Sequence, residues 1–490
     1  MPTPHEDSEY TGTSPFYIEL LDVLALISCE LYDASPPPVN ARQVCKNSYE
    51  TLKVVDSHRA SVKTPSSLAM SYEIRKKLLD VSEILCSHVD ERVADAVKQG
   101  DTQVHSYLEE LVRVAEGRQS LQRLSGDEAQ AFLDLAQEIL QSSPKRGSVD
   151  IGHIRFCVVP DDVDFKCNLH RTMTRLAEAS GQIPSELFIT DVIRREQYHV
   201  FGGSYSDVYK GSLNGHDVAL KVMRIFLRQS QVEREKTYRA MRKEILVWSH
   251  MEHQNLLPLY GIDQTSIPSG PCLVSPWLKN GDIMNFLETT MDTTHDVLID
   301  QLVMEIISGL SYLHDNNIVH GDLRPPNILI DGEGHVRIAD FGLANFADST
   351  WNSVSAPDAG PWSPERFFSA DVLGEDHEYM PTMATDIFSL GTVCFEICNK
   401  KNPFKAATLS QNDLRCLKNG AVTQLVGFDR LPLRVSVCVV QCWRWKPSQR
   451  PSAVELPILL DQDEDPRVLV GTFPPRGRFV PILVVFFFKR

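Results

Sequence analysis

Residues 16–31, FYIELLDVLALISCEL, put apolar side chains at helical spacing, and the SPPP run at 35–38 breaks the pattern. Residues 71–99 read as one long amphipathic helix. Leu78, Leu79, Val81, Leu85, Val89, Val93 and Val97 recur there mostly at three and four, with Glu, Lys and Asp between them. The period continues through VHSYLEELVRVA (104–115) and DEAQAFLDLAQEIL (127–140), where Ser125 or Asp127 is placed to cap the start. SSPKRGS (142–148) has linker composition, and a short helix follows near 168–181. Then the period changes. YHVFGGSYSDVYKGSLNGHDVALKVMRIF alternates as strands do, with Asn214-Gly215 as a two-residue hairpin signal. A helix over YRAMRKEILVWSHM, short strands around 257–261 and 272–275, and mostly helix from Asp300 onward complete the pattern. A small β-rich half followed by a larger α-rich half is an α+β order, here preceded by an all-α region.

Composition narrows this picture. At 490 residues the chain exceeds what one core needs, and 42% hydrophobic with 23% charged residues is ordinary for a globular protein. A net charge of −16 argues against a nucleic-acid surface, which needs clustered Lys and Arg. The eleven cysteines form no CxxC pair. Cys394/Cys398 and Cys438/Cys442 are spaced to share helical faces and read as buried small hydrophobes, which suits a reducing cytoplasm. MPTPHEDSEY lacks the basic start of a signal peptide. The apolar run at 479–488 is far shorter than the roughly 20 residues that span a bilayer, so no membrane span is expected. The N-terminal helical stretch carries no Gly-rich loop and no clustered His, and reads as a structural or interaction module.

Chemistry concentrates in the second half. In HGDLRPPNIL (320–329) an Asp followed by an Asn on one tight loop suits a proton acceptor and a metal ligand, and a second Asp follows in DFG (340–342). FGGSYSDVYKG offers glycines to a turn that would bring backbone N–H groups to a phosphate, although the same residues suit a plain glycine hairpin. VALK (218–221) puts Lys221 on the same strand face as Ala219. There it is a point charge for phosphate oxygens if Glu244 of MRKEIL holds it in place.

Gly203, Val208, VALK, Glu244, HGDLRPPNIL, DFGLA, SPE and DIFSLGTVCFE occur in the order and near the spacing of the protein-kinase fold. The chain resembles the eukaryotic protein kinase superfamily. LVSPWLKNGDI and LPLYGI are similar to the tyrosine-kinase-like group of Ser/Thr kinases found in fungal expansions. The expected organisation is a disordered 1–15, a helical module over 16–142, and a linker with a connecting helix over 143–190. A two-lobed kinase domain over 191–460 and an irregular tail over 461–490 follow.

The resemblance implies roles residue by residue. Asp322 would accept the substrate hydroxyl proton, and Arg324 would neutralise the transferred phosphoryl group. Asn327 and Asp340 would hold Mg²⁺, and Lys221, fixed by Glu244, would meet the phosphates of ATP. Gly202, Gly203, Val208, Ala219, Ser275, Trp277 and Leu278 would line the nucleotide. Of the three loop glycines the family uses, only Gly203 is kept, because Phe201 and Ser206 occupy the other two places. Gly321 stands where the family carries the arginine that receives an activation-loop phosphate. Glu365 with Arg450, and Asp386, would be structural. The expected partners are ATP, a protein substrate and an unidentified protein on the helical module. The alternatives are a pseudokinase scaffold and a tyrosine kinase.

Overall fold

The computed structural model describes residues 16–33, 48, 63–85, 91–141, 162–202, 206–224, 230–267, 270–290, 295–342, 344–346, 363–367, 381–404 and 411–461. Expectations for 1–15, the linker at 142–148, Gly203, the segment before SPE and the tail beyond Asp461 lie outside these residues. Two compact units emerge. One comprises Met1–Lys279, Asp315–Ile318 and Ala339–Ala356, and the other Asn280–His314, Val319–Ile338 and Pro357–Arg490.

The first unit begins with α1 (Ile18–Asp33), α2 (Pro65–Leu85), α3 (Glu91–Arg113), α4 (Ala115–Leu121), α5 (Gly126–Gln141) and α6 (Val163–Ser180). The single helix expected over 71–99 is two helices, because α2 ends at Leu85 and α3 begins at Glu91. A three-four period reports which residues share a buried face. It does not register that Leu78 and Val81 sit on one helix and Val93 and Val97 on the next, all of them buried. Ser125 and not Asp127 precedes the start of α5, and Asp127 falls in its first turn, where a carboxylate favours the helix dipole. Buried Asp101 ties the early helices together. It accepts from Tyr17 Oη at 2.7 Å and from Arg75 Nε at 2.8 Å. Asp162 caps α6 by accepting from the backbone of Asp164 and Phe165, and Gly181, at φ 81°, ends it.

The sheet of this unit is antiparallel: β1 (Val192–Arg194), β2 (Phe201–Gly202), β3 (Ser206–Leu213), β4 (His216–Met223), β5 (Gly261–Asp263) and β6 (Cys272–Pro276), in the order β1-β3-β4-β6-β5 with β2 on β3. Asn214 and Gly215 both take positive φ, 49° and 83°, as the two-residue turn requires. Val218, Leu220, Val222, Cys272 and Val274 form the core on one face. Between β4 and β5 runs α7 (Gln231–Ser249), which begins earlier than its apolar period suggested.

The second unit is built on α8 (Ile283–Thr289), α9 (His295–Asp315), the hairpin β7 (Ile328–Ile330) with β8 (Val336–Ile338), α10 (Met383–Asn399) and α11 (Leu433–Cys442). Among the described residues only α9 is long and apolar enough to cross a membrane by composition, but it is a core helix: Ile299, Leu302, Val303, Ile306, Ile307 and Leu310 are buried. Gly391 lets α10 and the end of α11 meet, since a Cβ there would lie 2.8 Å from Cys442 Cβ and from the Trp443 ring.

Candidate active site

The first unit brings together three of the expected residues. Strand alternation puts Ala219 and Lys221 on the sheet face opposite the apolar core, with Lys210 opposite Ala219 and Val208 opposite Lys221. Lys221 Nζ lies 2.6 Å from Glu244 Oε1 and 2.7 Å from Asp340 Oδ1. Burial disfavours the ammonium, but the carboxylates of Asp340 and Glu244 outweigh it and raise the lysine pKa. Glu244 is buried, and burial together with the Asp340 charge pushes its pKa up against the pull of Lys221. Asp340 takes a left-handed φ of 65° and remains partly exposed, so its carboxylate is presented and not packed away. Beside it Phe341 is buried, its ring 5.8 Å from that of Trp248 at the end of α7.

Ser275 is buried opposite Ala219, and Trp277 and Leu278 follow it half-buried. Trp277 N donates to Asp217 O at 3.1 Å. Sequence reasoning missed the neighbour of Trp277. Phe201, which occupies a glycine place, stacks on the indole with centroids 6.0 Å apart and planes 25° from parallel. It also missed Arg224, whose guanidinium pairs with Asp207 at 2.6 and 3.0 Å and covers Gly202. No local spacing links those residues, because the pairing follows from the register of β2, β3 and β4.

The second unit holds the other set. Asn327 Nδ2 donates to Asp322 O at 2.8 Å and to Asp322 Oδ2 at 3.1 Å, and Arg324 Nε lies 3.3 Å from the same Oδ2. Asp386 is fully buried. It accepts from His320 N at 2.8 Å and from Gly321 N at 2.9 Å, and His314 Nε2 sits 3.1 Å away. Gly321 has φ 77°, so its place suits a residue without a Cβ. Glu365 and Arg450 form a buried bidentate pair at 2.7 and 2.8 Å.

Asp340, in the first unit, offers carboxylate oxygens, and Asn327, in the second, offers an amide oxygen while its N–H groups point at Asp322. Each is by itself the kind of oxygen donor that a hard divalent cation accepts. Among the described residues no cluster of three or more His, Cys, Asp or Glu could hold a metal by itself.

The protein kinase domain family matches residues 196–457. The chain belongs to this family, whose members work with ATP, a divalent metal and a protein substrate. It is 26% identical over 259 residues to the serine/threonine-protein kinase STY46 of Arabidopsis thaliana, covering 53% of this chain and 42% of that one. It is 27% identical over 225 residues to human receptor-interacting serine/threonine-protein kinase 1, covering 44% and 33%. It is 26% identical over 263 residues to the dual specificity protein kinase shkB of Dictyostelium discoideum, covering 52% and 37%. The chain thus spans less than half the length of each of these relatives.

Proposed function

We propose that this chain is an ATP-dependent protein kinase that transfers the γ-phosphate of ATP to Ser or Thr of protein substrates, with Mg²⁺, in cytoplasmic signalling. One observation carries the reading: Lys221 is held by Glu244 and touches Asp340, so the charged groups that would meet the nucleotide phosphates stand together in the first unit. Mg²⁺, when bound, supplies charge neutralisation of the nucleotide phosphates. Asp340 and Asn327 would hold it.

Lys221 Nζ offers its charge to the α and β phosphates, and Glu244 keeps that ammonium from swinging away. Asp322 receives the hydroxyl proton, with Asn327 and Arg324 fixing the tilt of its carboxylate. Arg324, exposed, lends its guanidinium to the phosphoryl group in transfer. Ser or Thr is preferred over Tyr because two of the three relatives named above are Ser/Thr kinases by name. Cytoplasmic location is supported by free thiols: Cys394 Sγ lies 3.9 Å from Cys438 Sγ of another helix, and Cys438 Sγ lies 3.8 Å from Cys442 Sγ one turn along, without a disulfide. The helical region upstream is proposed to bind a protein partner.

The stack of Phe201 on Trp277 favours a second reading, a scaffold that binds nucleotide weakly, since a side chain occupies the place of a loop glycine beside a residue that would line the nucleotide. A radiolabelled ATP assay on generic protein substrates, with and without Mg²⁺ and followed by phosphoamino-acid analysis, decides between them. Mg²⁺-dependent phosphoserine or phosphothreonine is expected. A folded chain that incorporates no label belongs to the scaffold reading.

A further inference from the structure

The family match begins at residue 196, yet the helix that carries Glu244 is braced by a helix lying before it. α6 packs along α7, and its Phe165, Leu169, Met173, Leu176 and Ala177 are buried. Within that contact His170 Nε2 donates to Leu246 O at 2.7 Å. Leu246 belongs to the last turn of α7, where carbonyls have no partner further along the helix. α6 therefore closes the end of α7 from outside. His250 Nδ1 donates to the same carbonyl at 3.0 Å, and the two imidazoles meet edge to face with centroids 4.5 Å apart. About two turns further along α6, Glu178 sits in the field of Lys243, Arg239 and Arg242 of α7.

Leu246 lies between the two residues of α7 that reach the site. Glu244, in the same turn, grips Lys221, and Trp248 packs on Phe341 and donates its Nε1–H to Leu257 O at 2.6 Å. Three donors meet this carbonyl, Ser249 Oγ at 3.2 Å and His250 Nδ1 from the chain just beyond it and His170 Nε2 from another helix, and the last is the shortest. α6 is itself anchored, because it packs on α3 and α5. The chain after it is tied back to α5, where Asp134 accepts from Ser185 N at 2.6 Å and from Ser185 Oγ at 3.0 Å.

We propose that α6 is a positioning element of the phosphoryl-transfer site: through the Leu246 carbonyl, His170 sets where Glu244 stands and hence how Lys221 meets the nucleotide. The upstream helical region then controls affinity for ATP and turnover without touching either. The inference rests on the kinase reading given above.

The test uses the full chain with His170→Ala, His170→Gln, Glu178→Gln, Glu244→Ala and the His170→Ala/Glu244→Ala pair. ATP affinity, KM, kcat, thermal unfolding and hydrogen exchange of the α7 amides are measured for each. Loss of one buried hydrogen bond should raise KM for ATP about tenfold in His170→Ala. His170→Gln, which keeps a donor near Nε2, should recover most of that. Glu178→Gln, at the more open edge and safe for folding, should give about a threefold change. In the Glu244→Ala background, His170→Ala should add nothing to KM, although it still lowers the unfolding temperature.

Effects on KM that add in full to those of Glu244→Ala would overturn the proposal. So would a His170→Ala chain that melts earlier but binds and turns over ATP as before. Hydrogen exchange separates this inference from the kinase reading. A native chain without turnover defeats the kinase reading, while the brace then stands on faster exchange at 244–248 in His170→Ala and falls if exchange is unchanged.

Discussion

The two units hold their candidate residues in different ways. In the first unit, Lys221, Glu244 and Asp340 are fixed chiefly by each other's charges, on a strand, a helix and a turn far apart in sequence. In the second unit, Asp322 sits on a loop whose backbone N–H groups are gripped by one buried carboxylate, Asp386, and whose own amide, Asn327, steadies the acid. The first arrangement can exchange partners when a phosphate arrives, because an ammonium between two carboxylates gains as much from a phosphate oxygen as from Asp340. The second is preorganised and has nothing to exchange. A kinase needs both: a part that adapts to the nucleotide, and a part that waits at fixed geometry for the hydroxyl.

The comparison breaks most sharply at its charged half. Lys221→Met and Asp340→Asn should each lower turnover by roughly a thousandfold or more. Lys221→Met also leaves buried Glu244 without its cation and should lower the unfolding temperature, whereas Asp340→Asn, at a partly exposed carboxylate, should leave it almost unmoved. Wild-type turnover in both variants, measured by phosphate transfer, would end the kinase reading.

In the hydrogen-bonded half the largest effect should fall on stability. Asp386→Ala strands two buried backbone donors and should cost about 3 kcal/mol, read from denaturant unfolding, together with a loss of kcat. An unchanged unfolding curve would show that the loop does not depend on that carboxylate.

Acid should loosen the first unit at the base of α7. Burial holds the His170 and His250 pKa values at about 3 and about 4, the neighbouring imidazole and Arg171 adding to the shift at His170 while the Leu246 carbonyl opposes it. An unfolded histidine titrates near 6.5, so below that pH the unfolded chain binds protons that the folded one refuses. The stability from these neutral rings is therefore nearly complete above about pH 7 and falls as pH drops through 6.5 toward 4. Between pH 7 and 5 the loss is about 2 kcal/mol for each histidine. Thermal unfolding from pH 7 to 5 should show this fall, and it should flatten in His170→Gln.

A smaller effect belongs to the loop. Phe201→Gly with Ser206→Gly removes the stack on Trp277 and restores two glycines, so it should tighten ATP binding about tenfold without changing which residue is phosphorylated. Calorimetry on both chains measures it, and equal affinities would show that the stack is harmless.

The smallest effect is expected from dephosphorylation. Ser349, Thr350, Ser353 and Ser355 lie outside the described residues, and Gly321 supplies no cation to receive a phosphate on any of them. Phosphatase treatment should leave activity within about twofold. A tenfold drop would reveal another basic receiver.

The residues of both halves were legible in the chain because each motif is local. Asp322 and Asn327 meet across one short loop, so their spacing in sequence is their geometry in space. VALK faces one way because alternate strand residues must. The hairpin at Asn214-Gly215 could be read from its two residues alone, since few others accept positive φ in succession.

What lay beyond the sequence is non-local. The period over 71–99 identified the buried face but not the interruption between Leu85 and Glu91, because a helix break leaves the apolar spacing on either side intact. The sequence shows only that Gly321 stands where the family carries an arginine, and the folded backbone adds that the position takes φ 77°, where glycine relieves strain. Tertiary structure alone decided that Phe201 lies on Trp277, that Lys221 reaches Asp340 as well as Glu244, and that His170 closes the end of α7. Each of these contacts joins segments whose separation along the chain carries no period, so only packing against the rest of the unit selects the partner.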